Sequence, residues 1–421
     1  MLPVIGMIIA TGAVLWYRGA KTPSITIPPP APMPHPNAYD DFARAYSQFH
    51  DLKVSDYSST SPKDLLPDLS NGIKGVTQAR ANHVAAENRT AITTLEHGLS
   101  EGYCAPDVTT FAQTLPYLAH DRAMARALSF DGRVAAHKGD WQRVIRNSMD
   151  SVELGTKIEH RGGVIAKLVG IASSSIGRVN AWAAVSHLNS KEATVEALRL
   201  ERITDARTPF SQTLQTEEDQ NTVCLLQEFK QQRPLEDMSG DDVFKYNFEE
   251  PVYFTFHPKG NSLQMYRQYM DTWVSTAKLP YPAAQKVVSP TVPDDMICNI
   301  LCSVYNTVLF KDTADVANNR LLSTTLALRA YSLDHQGAYP ATLSALTGRY
   351  LKHIPMDPFE SGVIPLIYRR TSHGYLLYSI GPDGRDDGGK PFVHTLTDGT
   401  TTRRWCMPDD TGDIVAGINN G

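Results

Sequence analysis

The chain has 421 residues, of which 42% are hydrophobic and 20% are charged. This is the ordinary composition of a globular protein, and the length leaves room for two or three domains. The formal net charge is -5, and lysine and arginine form no cluster in the sequence. These features exclude a typical nucleic-acid-binding protein, which neutralises phosphates with a concentrated basic surface. No nucleic acid is therefore expected among its partners.

The N-terminal region has the pattern of a membrane anchor followed by a spacer. Residues 1–20 contain a nearly uncharged apolar run, and residues 21–37 are rich in proline. Proline-rich segments hold an extended conformation, so this linker is expected to separate the body from the membrane. The sequence thus predicts a signal-anchor, that is, an uncleaved transmembrane helix, with the body outside the cytoplasm, in the periplasm.

Two features of this region disagree with that interpretation. The apolar run is shorter than the roughly 20 residues that span a bilayer. Arg18 and Lys21 follow the run, and by the positive-inside rule this order places the body in the cytoplasm. A start codon assigned too far downstream, which removes a basic leader, explains both features. A cleaved signal peptide and a buried N-terminal helix are the alternatives.

Residues 38–312 predict a helical domain, because Ala, Leu, Arg and Glu recur at spacings of three and four. The clearest helical patterns cover residues 121–136, 141–159, 164–188 and 191–206. The segment Lys138-Gly139-Asp140-Trp141 separates the first two patterns and predicts an αα-hairpin. A single tetratricopeptide-type hairpin has a similar turn, but no second copy follows at the period of about 34 residues that marks such repeats. Both interpretations stay open.

Residues 313–395 predict a small α+β module, and residues 396–421 a C-terminal tail. An apolar helical pattern runs from Leu321 to His335 and stops before Gly337, as helices commonly do. Two turns and two strand-like runs follow: Tyr339-Pro340, Asp357-Pro358-Phe359, Leu366–Arg369 and Gly374–Ser379. The two runs flank a short polar turn and therefore predict a β-hairpin.

This order of elements, together with the sequence from Tyr378 to Gly384, resembles the C-terminal half of the major pseudopilin of type II secretion systems. The resemblance covers Ala317 to Lys390 and implies one helix packed on a small antiparallel sheet. Two departures are clear: residues 360–364 interrupt the step to the first strand, and the N-terminal prepilin-peptidase signature is absent. The module is therefore interpreted as borrowed, and the protein is not expected to be a filament subunit.

Asp383, Asp386 and Asp387 are the candidate metal ligands in the glycine-rich loop that closes this module. The resemblance implies calcium as the cofactor, because the equivalent loop of the pseudopilin binds that ion. Calcium takes roughly six to eight oxygen ligands from flexible loops, and clustered aspartates supply such ligands. A solvated turn, in which Asp and Gly satisfy local backbone geometry, is the alternative.

A search for catalytic motifs finds no HExxH, GxSxG, Walker A or GxGxxG sequence. Two histidines each have a carboxylate close in sequence and form a candidate acid and base pair with it: His83 with Glu87, and His120 with Asp121. Ordinary structural or surface histidines explain both pairs more simply. The sequence therefore predicts no catalytic residue and a protein that is not an enzyme.

The predicted fold class is α+β, with a mainly α-helical hairpin domain followed by a small pseudopilin-like module of one helix and an antiparallel sheet. The predicted function is that of a membrane-anchored binding or assembly protein of the cell envelope. Its expected partners are the membrane, through the N-terminal segment, and other envelope proteins. An envelope hydrolase with dispersed catalytic residues and a helical adaptor on the cytoplasmic side are the alternatives.

Overall fold

The structure is a computed structural model, which describes residues 14, 21–27, 32–50, 76–111, 113, 115–231, 250–361, 363–396, 399–403 and 406–419. It is mainly helical, with a small antiparallel sheet near the C-terminus, which confirms the predicted α+β class in general terms. The α-helices are α1 (Ala38–Gln48), α2 (Gln78–Glu87), α3 (Arg89–Leu99), α4 (Pro116–His137), α5 (Trp141–Ile158), α6 (Val164–Ala184), α7 (Ser190–Asp205), α8 (Phe210–Gln231), α9 (Glu250–Phe256), α10 (Lys259–Thr276), α11 (Tyr281–Ala284), α12 (Met296–Leu301) and α13 (Asn306–Asp334). The strands are β1 (Ile367–Thr371), β2 (Gly374–Ser379), β3 (His394–Thr395), β4 (Thr401–Thr402) and β5 (Ile414–Val415).

Helices α4, α5 and α6 pack against one another, α7 packs against α5, and these four helices form the centre of the helical region. The turn between α4 and α5 contains Gly139 at a φ of 73°, a conformation that glycine adopts without a steric penalty. Asp140 then caps α5 by accepting a hydrogen bond from the backbone N–H of Arg143 at 3.1 Å. The segment predicted to separate two helices therefore ends one helix and starts the next.

Helices α5 and α6 approach each other closely at two pairs of small residues. A Cβ atom at Gly155 would lie 2.4 Å from the carbonyl oxygen of Gly170, and one at Gly177 would lie 2.5 Å from that of Ser148. Real Cβ atoms essentially never come this close to another atom. The lack of a side chain at these glycines therefore lets the two backbones touch.

The longest of the described helices, α13, connects the helical region with the C-terminal sheet. It packs against α6 and α7 and also against β2 and β5. One hydrophobic core extends from Ala135 in α4, through Leu326 and Ala330 in α13, to Ile414 in β5. The predicted boundary between residues 312 and 313 lies inside α13, so this one helix belongs to both regions.

The C-terminal sheet has the strand order β1-β2-β5, and both pairings are antiparallel. The predicted hairpin is present as β1 and β2, with Tyr368 opposite Leu377. Strand β5 lies on the other side of β2, with Tyr378 opposite Val415. This third strand comes from the predicted tail, where two residues are too few to show an alternating pattern.

Asp357 connects the predicted Asp-Pro-Phe turn to the end of β2. Its carboxylate accepts hydrogen bonds from the backbone N–H groups of Phe359 at 3.0 Å and Ile380 at 2.9 Å, and from Ser379 Oγ at 2.7 Å. Burial raises the pKa of this carboxyl, and the three hydrogen bonds oppose that rise. The turn is therefore held by a buried and fully bonded side chain.

The described parts of the proline-rich linker lie against the helical region. Ile25 packs on the main hydrophobic core. A Cβ atom at Gly102 would lie only 2.9 Å from the Cβ of Pro34. Asn37 exchanges two hydrogen bonds with the backbone of Cys104, at 2.9 and 3.0 Å. At these positions the linker therefore contacts the body.

The structure contradicts the predicted signal-anchor, that is, the transmembrane helix. The membrane-anchored periplasmic location was derived from that helix and is contradicted with it. Among the helices in the described part of the chain, none is both long enough and apolar enough to cross a bilayer. The 29-residue α13 has the length, but it carries Lys311, Asp312 and Asp315, whereas a spanning helix needs about 20 mostly apolar residues. Apart from Val14, residues 1–20 lie outside the described residues.

Candidate functional site

A cleft of about 500 Å³ lies between helices α5 and α7, beside the chain segment that follows α3. Its apolar wall consists of Pro32, Pro34, Tyr103, Cys104, Ile203 and Ala206. Its polar wall consists of Glu153, Thr156, Lys157, His160, Arg161 and Arg202. We term it the basic cleft, because most of the charged groups in its wall are cationic.

The ends of two packed helices place the polar wall. Glu153 and Lys157 are four residues apart near the end of α5, so they share one face of that helix. Arg202 and Ile203 belong to the last turns of α7, which packs against α5. A capping box between Asn189 and its N3 glutamate fixes the other end of α7. The packing of α7 against α5 therefore brings residues about 50 positions apart to one cleft.

Cations outnumber carboxylates in the cleft wall, and Arg161 has a carboxylate partner outside it, with Nη2 3.8 Å from Asp107 Oδ1. Lys157, Arg161 and Arg202 line the cleft, and Glu153 is the one carboxylate among the lining residues. Arg202 Nη2 lies 3.8 Å from Glu153 Oε1, and 62% of the Arg202 side chain is exposed. The charge of Arg202 is therefore only loosely compensated.

Two further groups in the cleft wall have lowered pKa values. Burial lowers the pKa of His160, and the charges of Arg161 and Lys157 lower it further. Burial also lowers the pKa of Lys157, whose Nζ donates a hydrogen bond to the carbonyl oxygen of Glu101 at 2.5 Å. The shift at His160 is consistent with the excess of cations around it, and such an excess produces a positive potential.

The basic cleft continues into a second depression of about 510 Å³ between α3, α5 and α7. The two hollows share Glu153, Lys157 and Arg202. In the second one, Arg199 Nη2 lies 2.6 Å from Asp150 Oδ1 and 2.6 Å from Glu153 Oε2. The two hollows therefore adjoin, and we term them together the groove: cations dominate the lining of the first hollow, and the charges in the lining of the second are balanced.

A buried ionic cluster lies close to the cleft in sequence. It consists of Glu159, Lys167, Arg178, Arg207, Asp312 and Asp315, whose side chains are at most 15% exposed. Lys167 Nζ lies 2.9 Å from Glu159 Oε2 and 2.7 Å from Asp312 Oδ1. Arg207 contacts Glu159 at 3.1 Å and also both aspartates.

The charges of this cluster balance, with three cations and three carboxylates. Burial raises the pKa of Glu159, and the neighbouring charges of Arg207 and Lys167 oppose the rise. The cluster joins the end of α5, helix α6, the segment after α7 and helix α13. Its enclosure and its balance make it a structural feature, since neither leaves a charge for a ligand.

The predicted metal ligands Asp383, Asp386 and Asp387 lie in the loop after β2. Asp386 Oδ1 accepts hydrogen bonds from Tyr378 Oη at 2.8 Å and Gly388 N at 2.9 Å. These hydrogen bonds, that from Tyr378 first, lower the pKa of Asp386. In the described structure, the carboxylates of the three aspartates do not all come within 4.8 Å of one another. Calcium at this loop stays a prediction.

Asp413 is a fourth carboxylate at this loop, and the sequence analysis missed it. It is fully buried and accepts hydrogen bonds from the backbone N–H groups of Gly389 at 2.7 Å and Asp387 at 3.4 Å. Burial raises its pKa to about 6, and the charges of Asp386 and Asp387 contribute to the rise. Because Asp413 follows the loop by more than 20 residues, no sequence spacing connected the two.

The two predicted histidine and carboxylate pairs do not form enclosed acid and base sites. His83 Nε2 lies 3.2 Å from Glu87 Oε1, but the two side chains are 58% and 41% exposed. His120 stacks on Tyr46 with 3.7 Å between ring centroids, whereas Asp121 is buried. Burial raises the pKa of Asp121 well above its usual range, and its Oδ2 has no hydrogen-bond partner among the described atoms.

Contact between α1 and α3 brings together Asp41, His97 and Glu101. Nδ1 of His97 lies 2.6 Å from Asp41 Oδ2 and 3.6 Å from Glu101 Oε1. Within the residues that the structure describes, this is the one group of three such side chains whose ligand atoms lie within 4.8 Å of one another. The spacing of His97 and Glu101 is visible in the sequence, but Asp41 lies 56 residues before His97 and escaped notice.

Comparison with known proteins identifies no relative. No family model matches the chain, and no curated protein or solved structure matches it. The resemblance of residues 317–390 to the major pseudopilin therefore stays a prediction from the sequence. The candidate sites rest on the geometry of this chain alone.

Proposed function

We propose that this protein is a non-catalytic binding or assembly protein, and that the basic cleft holds an extended, acidic segment of a partner protein. The observation that carries the proposal is the charge of the cleft wall, where Lys157, Arg161 and Arg202 accompany a single carboxylate, Glu153. Unbalanced charge of this kind attracts ligands of the opposite sign and orients them as they approach.

The shape of the groove favours an extended segment over a compact small molecule. The cleft opens into the second depression, so a ligand can follow α5 past Lys157. Tyr103, Ile203 and Ala206 offer an apolar surface beside the cations. A segment that alternates acidic and apolar side chains satisfies both walls, because an extended chain directs successive side chains to opposite sides.

The individual cations are suited to such a ligand. Arg202 is largely exposed and its contact with Glu153 is long, at 3.8 Å. A ligand carboxylate therefore replaces a weak ion pair with a bidentate one, which is the geometry that guanidinium groups favour. Lys157 uses one N–H for the Glu101 carbonyl and retains two for a ligand.

The sequence left two alternative functions open, a helical adaptor and a hydrolase, and the structure supports them to different degrees. A helical adaptor is also a binding protein, and the same groove serves it. A hydrolase requires a positioned acid, base or nucleophile. The two histidine and carboxylate pairs predicted from the sequence supply none, since His83 and Glu87 are exposed and His120 stacks on Tyr46 while Asp121 is buried.

The test measures binding of a fluorescent peptide of alternating Glu and Leu to the full chain, against a peptide with Gln in place of Glu. We expect the acidic peptide to bind at least about tenfold more tightly, and the difference to shrink as salt screens the charges. Arg202→Glu reverses one cleft charge and should remove that preference. In nuclear magnetic resonance titrations, the acidic peptide should raise the pKa of His160.

Arg349→Glu is the matched control. Arg349 is also exposed, at 70%, and also contacts one carboxylate, Asp334, but it is not part of the cleft wall. Reversing the charge at this position should leave peptide binding unchanged. Equal binding of the Glu and Gln peptides, or equal losses from Arg202→Glu and Arg349→Glu, would contradict the proposal.

A further inference from the structure

We propose that Asp41, His97 and Glu101 bind one divalent transition-metal ion of the zinc class, which holds α1 against α3. The donor set consists of one imidazole nitrogen and two carboxylate oxygens. Zinc and its neighbours in the first transition row accept these donors, commonly with water in the remaining position. Calcium fits less well, because it prefers oxygen ligands throughout.

The distances between the donor atoms are close to those of a metal centre. Asp41 Oδ2 and His97 Nδ1 are 2.6 Å apart, and His97 Nδ1 and Glu101 Oε1 are 3.6 Å apart. Ligands at about 2.0 to 2.1 Å from a tetrahedral zinc ion lie about 3.3 Å from one another. The His97 side chain is 66% exposed, so it is free to make the small shift that opens the shorter distance.

The packing of α1 on α3 holds the ligands in position. A Cβ atom at Gly98 would lie 2.9 Å from the Cβ of Asp41, so the two helices touch beside the site. The Asp41 side chain is 5% exposed, and its Oδ1 lies 2.9 Å from Arg44 Nη2. Such outer contacts orient a ligating carboxylate and leave Oδ2 for the ion.

The burial and the hydrogen bonding of the Glu101 side chain distinguish this site from a simple ion pair of histidine and aspartate. The Glu101 side chain is only 11% exposed, yet no described group donates a hydrogen bond to its carboxylate. The nearest cationic atom in the described structure is His97 Nδ1, at 3.6 Å. The carboxylate of Glu101 is therefore held by no donor of the described chain and keeps its oxygens available for a ligand. An ion between Glu101, His97 and Asp41 uses them.

A second pair in the chain supplies the comparison. His83 and Glu87 have the same four-residue spacing on a helix and lie 3.2 Å apart. They belong to no group of three metal-ligating side chains in the described part of the chain. A two-ligand surface pair binds such metals weakly, so the third ligand, Asp41, distinguishes the two places.

The experiment is a titration of the full chain with Co²⁺, followed by its visible absorption. Excess Ca²⁺ is present throughout, so any site in the acidic loop is filled. We expect one Co²⁺ to bind per chain with the bands of a low-symmetry site, and Zn²⁺ to displace it. His97→Gln and Glu101→Gln should each weaken binding at least about tenfold, and His83→Gln should leave it unchanged.

Melting curves separate loss of the site from loss of the fold. Glu101→Gln keeps the side-chain volume and breaks no hydrogen bond of the carboxylate, so its melting temperature without metal should not fall below that of the wild type. Zn²⁺ should raise the melting temperature of the wild type and of His83→Gln but not of Glu101→Gln. No saturable Co²⁺ binding by the wild type, or equal losses from His97→Gln and His83→Gln, would overturn the proposal.

Discussion

The buried ionic cluster and the basic cleft are neighbours in the chain, yet they use charge in opposite ways. Glu159 belongs to the cluster, and the next two residues, His160 and Arg161, line the cleft. In the cluster, three cations face three carboxylates, and Arg207 is only 5% exposed. In the cleft, three cations accompany one carboxylate, and Arg202 is 62% exposed.

The difference follows from solvation. A buried ion loses its water, so each charge in the cluster needs an opposite charge at contact distance. A cation at the surface keeps its water, so the protein can leave it without a close partner. Balance is therefore what a buried structural cluster requires, and the excess of cations at the accessible surface is what the proposed acidic ligand depends on.

The largest effect should come from breaking the balance inside the cluster. Arg207→Met leaves three carboxylates with two cations in a buried site. We expect the free energy of unfolding to fall by about 3 to 5 kcal/mol, measured by urea denaturation. Arg202→Met, at the exposed position in the cleft, should cost less than about 1 kcal/mol. Equal losses would remove the distinction between the two regions.

The loop that contains Asp383, Asp386 and Asp387 is a second candidate ligand site. Its predicted ligand is calcium, and calcium binding can be measured through stability. If the loop binds calcium, an excess of about a hundredfold over Kd should stabilise the fold by about 2.7 kcal/mol. Replacing Asp383 and Asp386 with asparagine should abolish the calcium dependence of the melting temperature and change the calcium-free melt little. A wild-type melt that is identical in calcium and in chelator would leave only the solvated turn.

Helices α5 and α6 pack closely beside the buried cluster, and Gly170→Ala should disturb that packing. The new Cβ would lie 2.5 Å from the Gly155 carbonyl oxygen and 2.7 Å from Cγ of Glu159, a member of the cluster. Overpacking of this kind costs about 1 to 3 kcal/mol, which exceeds the gain in helix propensity from alanine, up to about 1 kcal/mol. Gly374→Ala is the control, because no other atom lies within 4 Å of a Cβ added at that position. The stabilities of the two variants are compared by denaturation.

Asp121 is a buried carboxyl for which the described residues supply no ionic partner, so its effect on stability should depend on pH. Burial raises its pKa well above the usual range in the folded state, whereas the unfolded value is about 3.9. Its contribution is therefore complete below about pH 4 and is lost as the pH rises through the folded pKa, at up to about 1.4 kcal/mol per unit. Asp121→Asn should flatten this slope in urea denaturation at a series of pH values. Parallel slopes for the two proteins would contradict the assignment.

The helices of the body and the C-terminal hairpin were predictable from the sequence, because their signals are local. The predicted pattern at 141–159 corresponds to α5, and the strand pattern at 374–379 corresponds to β2. Apolar spacing, caps and turn residues act within a few positions of the chain. By contrast, the apolar run at the N-terminus led to an incorrect prediction of a transmembrane helix, and β5 was too short to recognise.

The sites depended on tertiary structure, because their members come from distant parts of the chain. Arg207 and Asp315 are 108 residues apart and meet inside the cluster. Asp41 and His97 meet only because α1 packs on α3 beside Gly98. The sequence by itself determined which segments are helices or strands, since that choice depends on neighbouring residues. Which charges are buried in pairs, and which stay exposed for a ligand, depends on how the helices pack, and no local pattern carries that information.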